Sequence, residues 1–215
     1  MNAELIARLA AITEEERRVL AGGPLDMTDY AASGRIPVLD SARLVERGRL
    51  ISVRPHTRFT PFPRHQHNYV EIIYMCAGRT THIVNDKTVI TLEKGELLML
   101  NQHAAHAIER AGEADIALNF MVLLEFFDVA LTMIGPDNVL GRFLIGSLRQ
   151  AGGDISFLHF QVADVLPVQN LIENLAWSIV SRQPDRHRIH RYTMGLLLLQ
   201  LLGNVDYLSV GSGAD

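Results

Sequence analysis

Residues 50 to 123 carry the clearest strand pattern in the chain. Short runs of β-branched and aromatic residues alternate with turn residues about every eight to ten positions. Asn85-Asp86 and Lys94-Gly95-Glu96 are predicted turns, because these residue types tolerate the backbone of tight connections. The pattern predicts strands near 51–54, 69–76, 79–84, 87–92, 97–100, 105–110 and 115–123. Many short strands at even spacing indicate a β-sandwich or barrel.

Helical periodicity replaces this pattern on both sides of the strands. The first periodic stretch stops at Gly22-Gly23-Pro24, a sequence that ends a helix. The last two stretches are long and are separated by the short turn Gln183-Pro184-Asp185, which predicts an antiparallel helical hairpin. The predicted helices are 3–21, 125–134, 137–150, 164–182 and 188–202.

The chain is therefore predicted to be mainly β with C-terminal helices. Five of its eight prolines lie between Pro24 and Pro63, so the segment before the strands is expected to be mostly loop that wraps the next part. The predicted organisation is an N-terminal helix and wrapping arm (1–49), a β-barrel (50–123), a helical region with the hairpin (124–205) and a polar tail (206–215).

Composition narrows the class of protein. A chain of 215 residues with 48% hydrophobic residues can bury an ordinary core. The single cysteine, Cys76, excludes a disulfide framework and a cysteine-rich zinc module. The N-terminus has no signal-peptide pattern and the longest apolar runs are too short to cross a bilayer, so a soluble cytoplasmic protein without membrane contact is expected. A net charge of -4 gives no support for broad binding to phosphate backbones.

The candidate chemistry lies in HQHNYVEIIYMCAG (65–78) and GELLMLNQHAAH (95–106). On a strand, alternate side chains share a face, so His65 and His67 point the same way and can chelate one divalent ion. Glu71 falls on the same parity, and His106 would come from a later strand. On one straight strand Glu71 would lie about 13 Å from His67, so a shared site requires a bend near Asn68.

These residues carry a resemblance to a known family. The spacing H-x-H-x3-E-x6-G, followed by G-x10-H, resembles the two motifs of the cupin superfamily. RPHTRFTPFPRHQHNYVEIIYMCAG, GELLMLNQHAAH, DVLPVQNLIENLAWSIV and YTMGLLLLQLL together look like the N-terminal sensor half of AraC-type bacterial transcription regulators. The similarity covers most of residues 15 to 205. It implies a cupin-like double-stranded β-helix, or jelly-roll barrel, that binds an effector, a helical pair for homodimerisation, and a C-terminal DNA-binding domain.

The sequence departs from the cupin pattern at the turns. The glycine expected six positions before His65 is Phe59, the proline of the second motif is Asn101, its glycine is His103 and its closing asparagine is Arg110. The four potential ligands are retained, whereas the turn chemistry around them differs.

Three interpretations of the cluster remain open at this stage. It can be a site for one divalent metal ion (Zn, Fe, Mn or Ni) formed by His65, His67, Glu71 and His106, an effector site without metal, or a set of histidines that bond one another and the backbone. The predicted ligand-binding residues are His65, His67, Tyr69, Glu71, Asn101, His103 and His106.

The first functional hypothesis is a non-catalytic, effector-sensing and dimerisation domain of an AraC-type regulator. DNA would then be bound only through a helix-turn-helix domain outside this chain, because about a dozen residues follow Gly203. Leu197, Leu198 and Leu201 could form a dimer seam or pack within the chain. The alternative hypothesis is a small metal-dependent cupin enzyme, an isomerase or oxygenase.

Overall fold

Two β-sheets pack face to face at the centre of the molecule. The computed structural model describes residues 1–31, 36–149, 153–181 and 185–211. The strands are β1 (Val38–Leu39), β2 (Ile51–Pro55), β3 (Phe62–His67), β4 (Val70–Ala77), β5 (Arg79–Val84), β6 (Thr88–Glu93), β7 (Leu97–Leu100), β8 (His106–Ile108), β9 (Ile116–Val122), β10 (Phe157–Phe160) and β11 (Leu208–Gly211). The α-helices are α1 (Ala3–Leu9), α2 (Glu14–Leu20), α3 (Ser41–Leu44), α4 (Phe127–Ile134), α5 (Val139–Leu148), α6 (Leu166–Val180) and α7 (Arg186–Leu202).

The sheets contain five and six strands. Their orders are β1-β3-β8-β5-β6 and β11-β10-β7-β4-β9-β2. β1 pairs with β3 in parallel, and the other strand pairs within the described residues are antiparallel. The predicted fold class is confirmed: a cupin-like jelly roll is followed by C-terminal helices, of which α6 and α7 pack together as a hairpin.

β4 shows how the sequence builds two cores. Ile72 and Tyr74 point to the helical side, in one cluster with residues of α4 to α7. Ile73 and Met75 point between the sheets, where they pack with side chains of β5, β6 and β7. Both faces of this strand are therefore buried, as expected from its almost uninterrupted apolar sequence.

The N-terminal arm is bound to the barrel by a buried ion pair. Arg58 Nε lies 2.7 Å from Glu16 Oε1, and the two side chains are 3% and 1% exposed. The predicted helix 3–21 is wrong as a single element, because Thr13 begins a new helix through a capping box with Glu16. The arm thus contributes to the wall of the barrel.

Four strands lie where none was predicted. β1 lies in the segment predicted to be mostly loop. β3 follows a proline-rich stretch, β10 lies between the predicted helices, and β11 lies in the predicted polar tail. β11 pairs with β10, and β10 with β7, so the end of the chain extends the six-stranded sheet. The predicted turn residues Gln183 and Pro184, and tail residues 212–215, lie outside the described residues.

The predicted tight turns are present in the structure. Asn85 and Asp86 have φ values of 52° and 61°, which form the connection between β5 and β6. Gly95 has a φ of 89° in the turn before β7. Among the helices that the structure describes, none is long and apolar enough to span a bilayer.

Candidate metal and ligand site

Four side chains from three strands meet inside the barrel. β3 supplies His65 and His67, β4 supplies Glu71, and β8 supplies His106, which is directly paired with His65. One ligand atom from each residue lies within 4.8 Å of the others, and all four residues are buried. The predicted cluster is therefore assembled in space, and its members come from both sheets.

A bend at Asn68 brings Glu71 to the histidines. β3 ends at His67 and β4 begins at Val70, so the chain passes from one sheet to the other between them. The Asn68 side chain accepts a hydrogen bond from the Ser41 N–H at 2.8 Å and donates one to Asp40 Oδ1 at 2.9 Å. The predicted bend is thus held from outside by the N-terminal arm.

The carboxylate of Glu71 has two different environments. Its Oε1 accepts a hydrogen bond from Asn119 Nδ2 at 3.0 Å. Its Oε2 lies 3.3 Å from His67 Nε2 and 3.4 Å from His106 Nε2, yet no hydrogen-bond partner is present for it among the described residues. The two Nε2 atoms are 3.3 Å apart. Three potential metal-ligand atoms thus converge on one small volume, where the two imidazole nitrogens are within hydrogen-bond distance of each other and the carboxylate oxygen is left unpaired among the described residues.

The protonation states suit ligands. Burial lowers the pKa of His65 well below its usual range, and the neighbouring His106 and His67 lower it further. Burial also lowers the pKa of His106. Burial opposes the charge of Glu71, but His67 and His106 hold its pKa well below the usual range. Metal coordination requires neutral imidazole and ionised carboxylate.

A cavity adjoins this cluster, and its wall includes polar residues that were not predicted. Arg54, His56 and Asn119 line it with His65, Tyr69 and Glu71. Burial lowers the pKa of His56 to about 4. A signal for two of them exists in the sequence, because Arg54 and His56 alternate along and just beyond β2 at the strand period.

Tyr69, which was predicted as a ligand-contact residue, lies on the cavity wall and is 1% exposed. Its ring lies beside that of His67, with the centroids 5.0 Å apart. His82 is also buried next to the cluster. Its ring stacks on that of His106 at 5.8 Å, and its Nε2 lies 2.9 Å from Thr80 Oγ1.

Asn101 and His103 belong to a turn rather than to the cluster. Asn101 Oδ1 accepts hydrogen bonds from the N–H groups of His103 and Ala104 at 3.0 and 3.2 Å. His103 Nε2 lies 2.9 Å from the Arg149 carbonyl oxygen. Both residues close the connection from β7 to β8, so the structure gives them a part in positioning His106 and none in lining the cavity beside it.

Phe59 occupies a left-handed backbone position. Its φ is 71°, a conformation that glycine adopts without cost and a bulky side chain adopts with strain. The cupin pattern places glycine here, so the backbone of the pattern is retained although the residue has changed. The Arg58 guanidinium lies 5.2 Å from the centre of the Phe59 ring.

The cavity is small. The space open to the centre of a water molecule is about 20 Å³, which corresponds to room for about one water molecule. Typical sites for larger organic ligands occupy about 300–1,000 Å³. In this conformation the cavity fits an ion or a very small molecule.

The chain belongs to the family described as the AraC-like ligand binding domain. The family model matches residues 49–188, most of the chain. No curated protein sequence gave a significant match. The fold and the family together define a small-molecule-binding domain of the AraC type.

Solved structures with a similar fold have low sequence identity. Apo ToxT from Vibrio cholerae is 10% identical, with a TM-score of 0.49, and the match covers 79% of this chain and 61% of the ToxT chain. ToxT with bound unsaturated fatty acid is 12% identical, with a TM-score of 0.45 and coverages of 75% and 56%. Oxalate decarboxylase from Bacillus subtilis, whose Mn(II) centres have been studied, is 16% identical, with a TM-score of 0.31 and coverages of 35% and 22%. This chain thus spans less than two thirds of the ToxT chain.

Proposed function

We propose that this domain senses a small polar molecule at a divalent metal ion held by His65, His67, Glu71 and His106. One observation carries the proposal: Glu71 Oε2 lies 3.3 and 3.4 Å from two buried imidazole nitrogens and has no hydrogen-bond partner among the described residues. A buried carboxylate oxygen left unpaired is costly. A cation at this point would satisfy the oxygen and both nitrogens together.

The ligand set fits a divalent transition metal. Three imidazoles and one carboxylate suit Zn, Fe, Mn and Ni, and this set alone does not select among them. When bound, the ion supplies a Lewis acid and a fixed positive charge next to the cavity. The metal ligands come from both sheets. A molecule that enters the cavity would therefore change the distance between the two sheets.

Homodimerisation through α7 is the second part of the proposal. Leu197, Leu198 and Leu201 are at most 1% exposed and pack inside the chain, so they cannot form a seam without rearrangement. Tyr192, Leu196 and Leu199 lie at helical spacing and are 67%, 51% and 36% exposed. This apolar stripe is the surface that fits a second copy. Control of DNA binding would pass through a helix-turn-helix domain outside this chain.

A metal-dependent enzyme, an isomerase or oxygenase, is the second candidate. The same four-ligand cluster beside a cavity favours it, since catalytic metal sites also leave room for a substrate. Turnover of a bound molecule by the metal-loaded protein would distinguish it from a sensor.

Metal titration tests the proposal. Protein purified without chelator, then stripped and titrated with Zn²⁺, Mn²⁺, Ni²⁺ or Fe²⁺ in a calorimeter, is expected to bind one ion per chain. The double substitution His67→Gln with His106→Gln should weaken binding at least about a hundredfold, because ligand losses of this kind cost several kcal/mol.

His159→Gln is the matched control. His159 is a histidine paired with Glu96 at 2.9 Å on β10, and it is no member of the cluster. Its substitution should leave the affinity unchanged. Equal metal binding by the double variant, or no ion bound by the wild-type chain, contradicts the proposed site.

A further inference from the structure

Arg54 places a positive charge on the wall of the same cavity. It lies on β2, its side chain is 30% exposed, and the cavity that it lines is also lined by His65 and Glu71 of the cluster. An arginine here has no part in coordinating a metal ion, because its guanidinium stays protonated. Its chemistry is recognition of an anion.

The guanidinium is held in place but only partly used. Nη2 donates a hydrogen bond to the Tyr30 hydroxyl at 2.5 Å and lies 3.7 Å from Glu15 Oε1. The group lies over the Tyr30 ring, 4.5 Å from its centre. Within the described part of the chain, Nε and Nη1 donate no hydrogen bond to protein. Nη2 carries two N–H groups and Tyr30 takes one of them, so the guanidinium can still offer N–H donors to a carboxylate.

The charges around the cavity favour a ligand that carries one negative charge. Glu15 offsets Arg54, and Glu71 offsets one of the two charges of a divalent ion. His56 and His65 are buried in the wall of the cavity beside these charged groups. A loaded cavity would therefore carry one surplus positive charge, and an isolated buried charge is costly. Without the ion, Glu71 would leave a negative charge, which repels an anion.

We propose that the molecule sensed is a small monocarboxylate, which binds the N–H groups of Arg54 that Tyr30 leaves free and enters only the metal-loaded cavity. This inference rests on the proposed metal site. The cavity has room for about one water molecule, so it must widen to admit even an acid of a few heavy atoms, and this favours the smallest acids. A neutral molecule of the same shape would lack the charge-assisted hydrogen bonds that Arg54 offers.

Calorimetry with small acids and a neutral analogue tests the proposal. The full chain, loaded with whichever ion it binds, is titrated with acetate, pyruvate and acetamide. Acetate or pyruvate is expected to bind one per chain, and acetamide at least about tenfold more weakly. The chelator-stripped protein is expected to bind neither acid.

Variants of Arg54 separate its role from simple coordination of a carboxylate to the metal. Arg54→Gln should weaken acid binding at least about tenfold while metal affinity stays unchanged, and Arg54→Lys should recover part of the loss. Arg79→Gln is the control, since Arg79 is an exposed arginine on β5 whose side chain is 72% exposed. It should bind acid like the wild-type chain. Thermal unfolding of each variant checks that it is folded.

The outcomes distinguish the two proposals. A chain that binds no metal overturns the proposed metal site before any acid is added. A chain that binds metal but binds acetamide as well as acetate, or binds the acid equally after Arg54→Gln, overturns the carboxylate inference alone. Preference for inorganic phosphate over every carboxylate tested would also overturn it.

Discussion

The two faces of β4 have opposite chemistry although they belong to one short strand. On the helical face, Ile72 and Tyr74 are covered by a continuous apolar cluster. On the inner face, Ile73 and Met75 pack between the sheets, whereas Glu71 at the start of the strand meets three histidines. One face is thus entirely a packing surface, and the other changes from packing to ionisable chemistry within two residues.

This difference separates stability from function in the same element. Burial of the helical face contributes free energy of folding, about 25 cal/mol for each Å² of apolar surface removed from water. Burial of Glu71 costs free energy unless a charge or a set of donors compensates it. Neighbouring substitutions on the strand should therefore have reciprocal effects on folding and on ligand binding.

Replacement of Glu71 gives the largest expected effect. With metal at a thousandfold excess over its dissociation constant, binding should stabilise the wild-type chain by about 4 kcal/mol. Glu71→Leu should lose this gain almost entirely. The stability of the metal-free variant should stay within about 1 kcal/mol of the wild type, because an unsatisfied carboxylate has been removed. Urea unfolding with and without metal measures both quantities, and a gain that survives in the variant would break the comparison.

Replacement of the adjacent Ile72 should do the reverse. Ile72 is 1% exposed in the helix-side core. Ile72→Ala should destabilise the metal-free chain by about 3 kcal/mol, the usual cost of a large-to-small change in a core. Metal affinity, measured by calorimetry on the folded fraction, should change less than about threefold. A large loss of affinity would show that the two faces are coupled.

The same strand shows how far sequence reasoning reaches. The predicted strand 69–76 nearly coincides with β4, and its alternation puts Ile72 and Tyr74 on the face away from Glu71, which the helices cover. The predicted strand 97–100 coincides with β7. Both predictions rest on local periodicity, which depends only on neighbouring residues.

Elements that depend on distant partners could not be predicted in this way. β3 contains Pro63, which cannot donate to a sheet, and the register shifts between Phe62 and His65 accommodate it. β11 is a strand because β10 lies beside it, about 50 residues away in sequence. Local patterns carry no information about such pairings.

The candidate site also has a part that local spacing predicts and a part that depends on distant strands. The spacing of His65, His67 and Glu71 predicted the cluster, once a bend at Asn68 was required. Arg54 and His56 were missed, although their alternation was visible, because nothing in β2 indicates which strands face it. Asn101 and His103, also predicted as ligand-binding residues, lie in the turn between β7 and β8.

A buried histidine in the helix layer gives a smaller, pH-dependent effect. His190 is 3% exposed, its Nε2 lies 2.7 Å from Ser178 Oγ, and burial lowers its pKa to about 4. The unfolded chain binds a proton near pH 6.5 and the folded chain only near pH 4. As far as His190 is concerned, the free energy of unfolding therefore keeps its full value above pH 6.5. It falls by about 2 kcal/mol between pH 7 and pH 5.

His190→Gln should remove that part of the acid sensitivity. Unfolding midpoints measured at pH 7 and pH 5 should differ less in the variant than in the wild-type chain. The measurement belongs on metal-free protein, so that the cluster histidines on the other side of β4 contribute equally to both chains. An unchanged pH dependence would show that His190 is already charged in the folded state.

The smallest expected effect on stability lies on the outer side of the helix layer. Leu196 is half exposed on the α7 stripe, so Leu196→Ser should change the stability of the monomer by about 0.5 kcal/mol or less. If the stripe pairs with a second copy, the same change should weaken dimerisation at least about tenfold, because an apolar side chain at the centre of the seam is lost. Sedimentation velocity over a concentration series measures the dimer constant. Leu166→Ser, at a leucine on α6 that lies outside the stripe and is even more exposed, should leave that constant unchanged. If both variants dimerise like the wild-type chain, the stripe is not the interface, and the helix layer then serves only to cover the apolar face of β4.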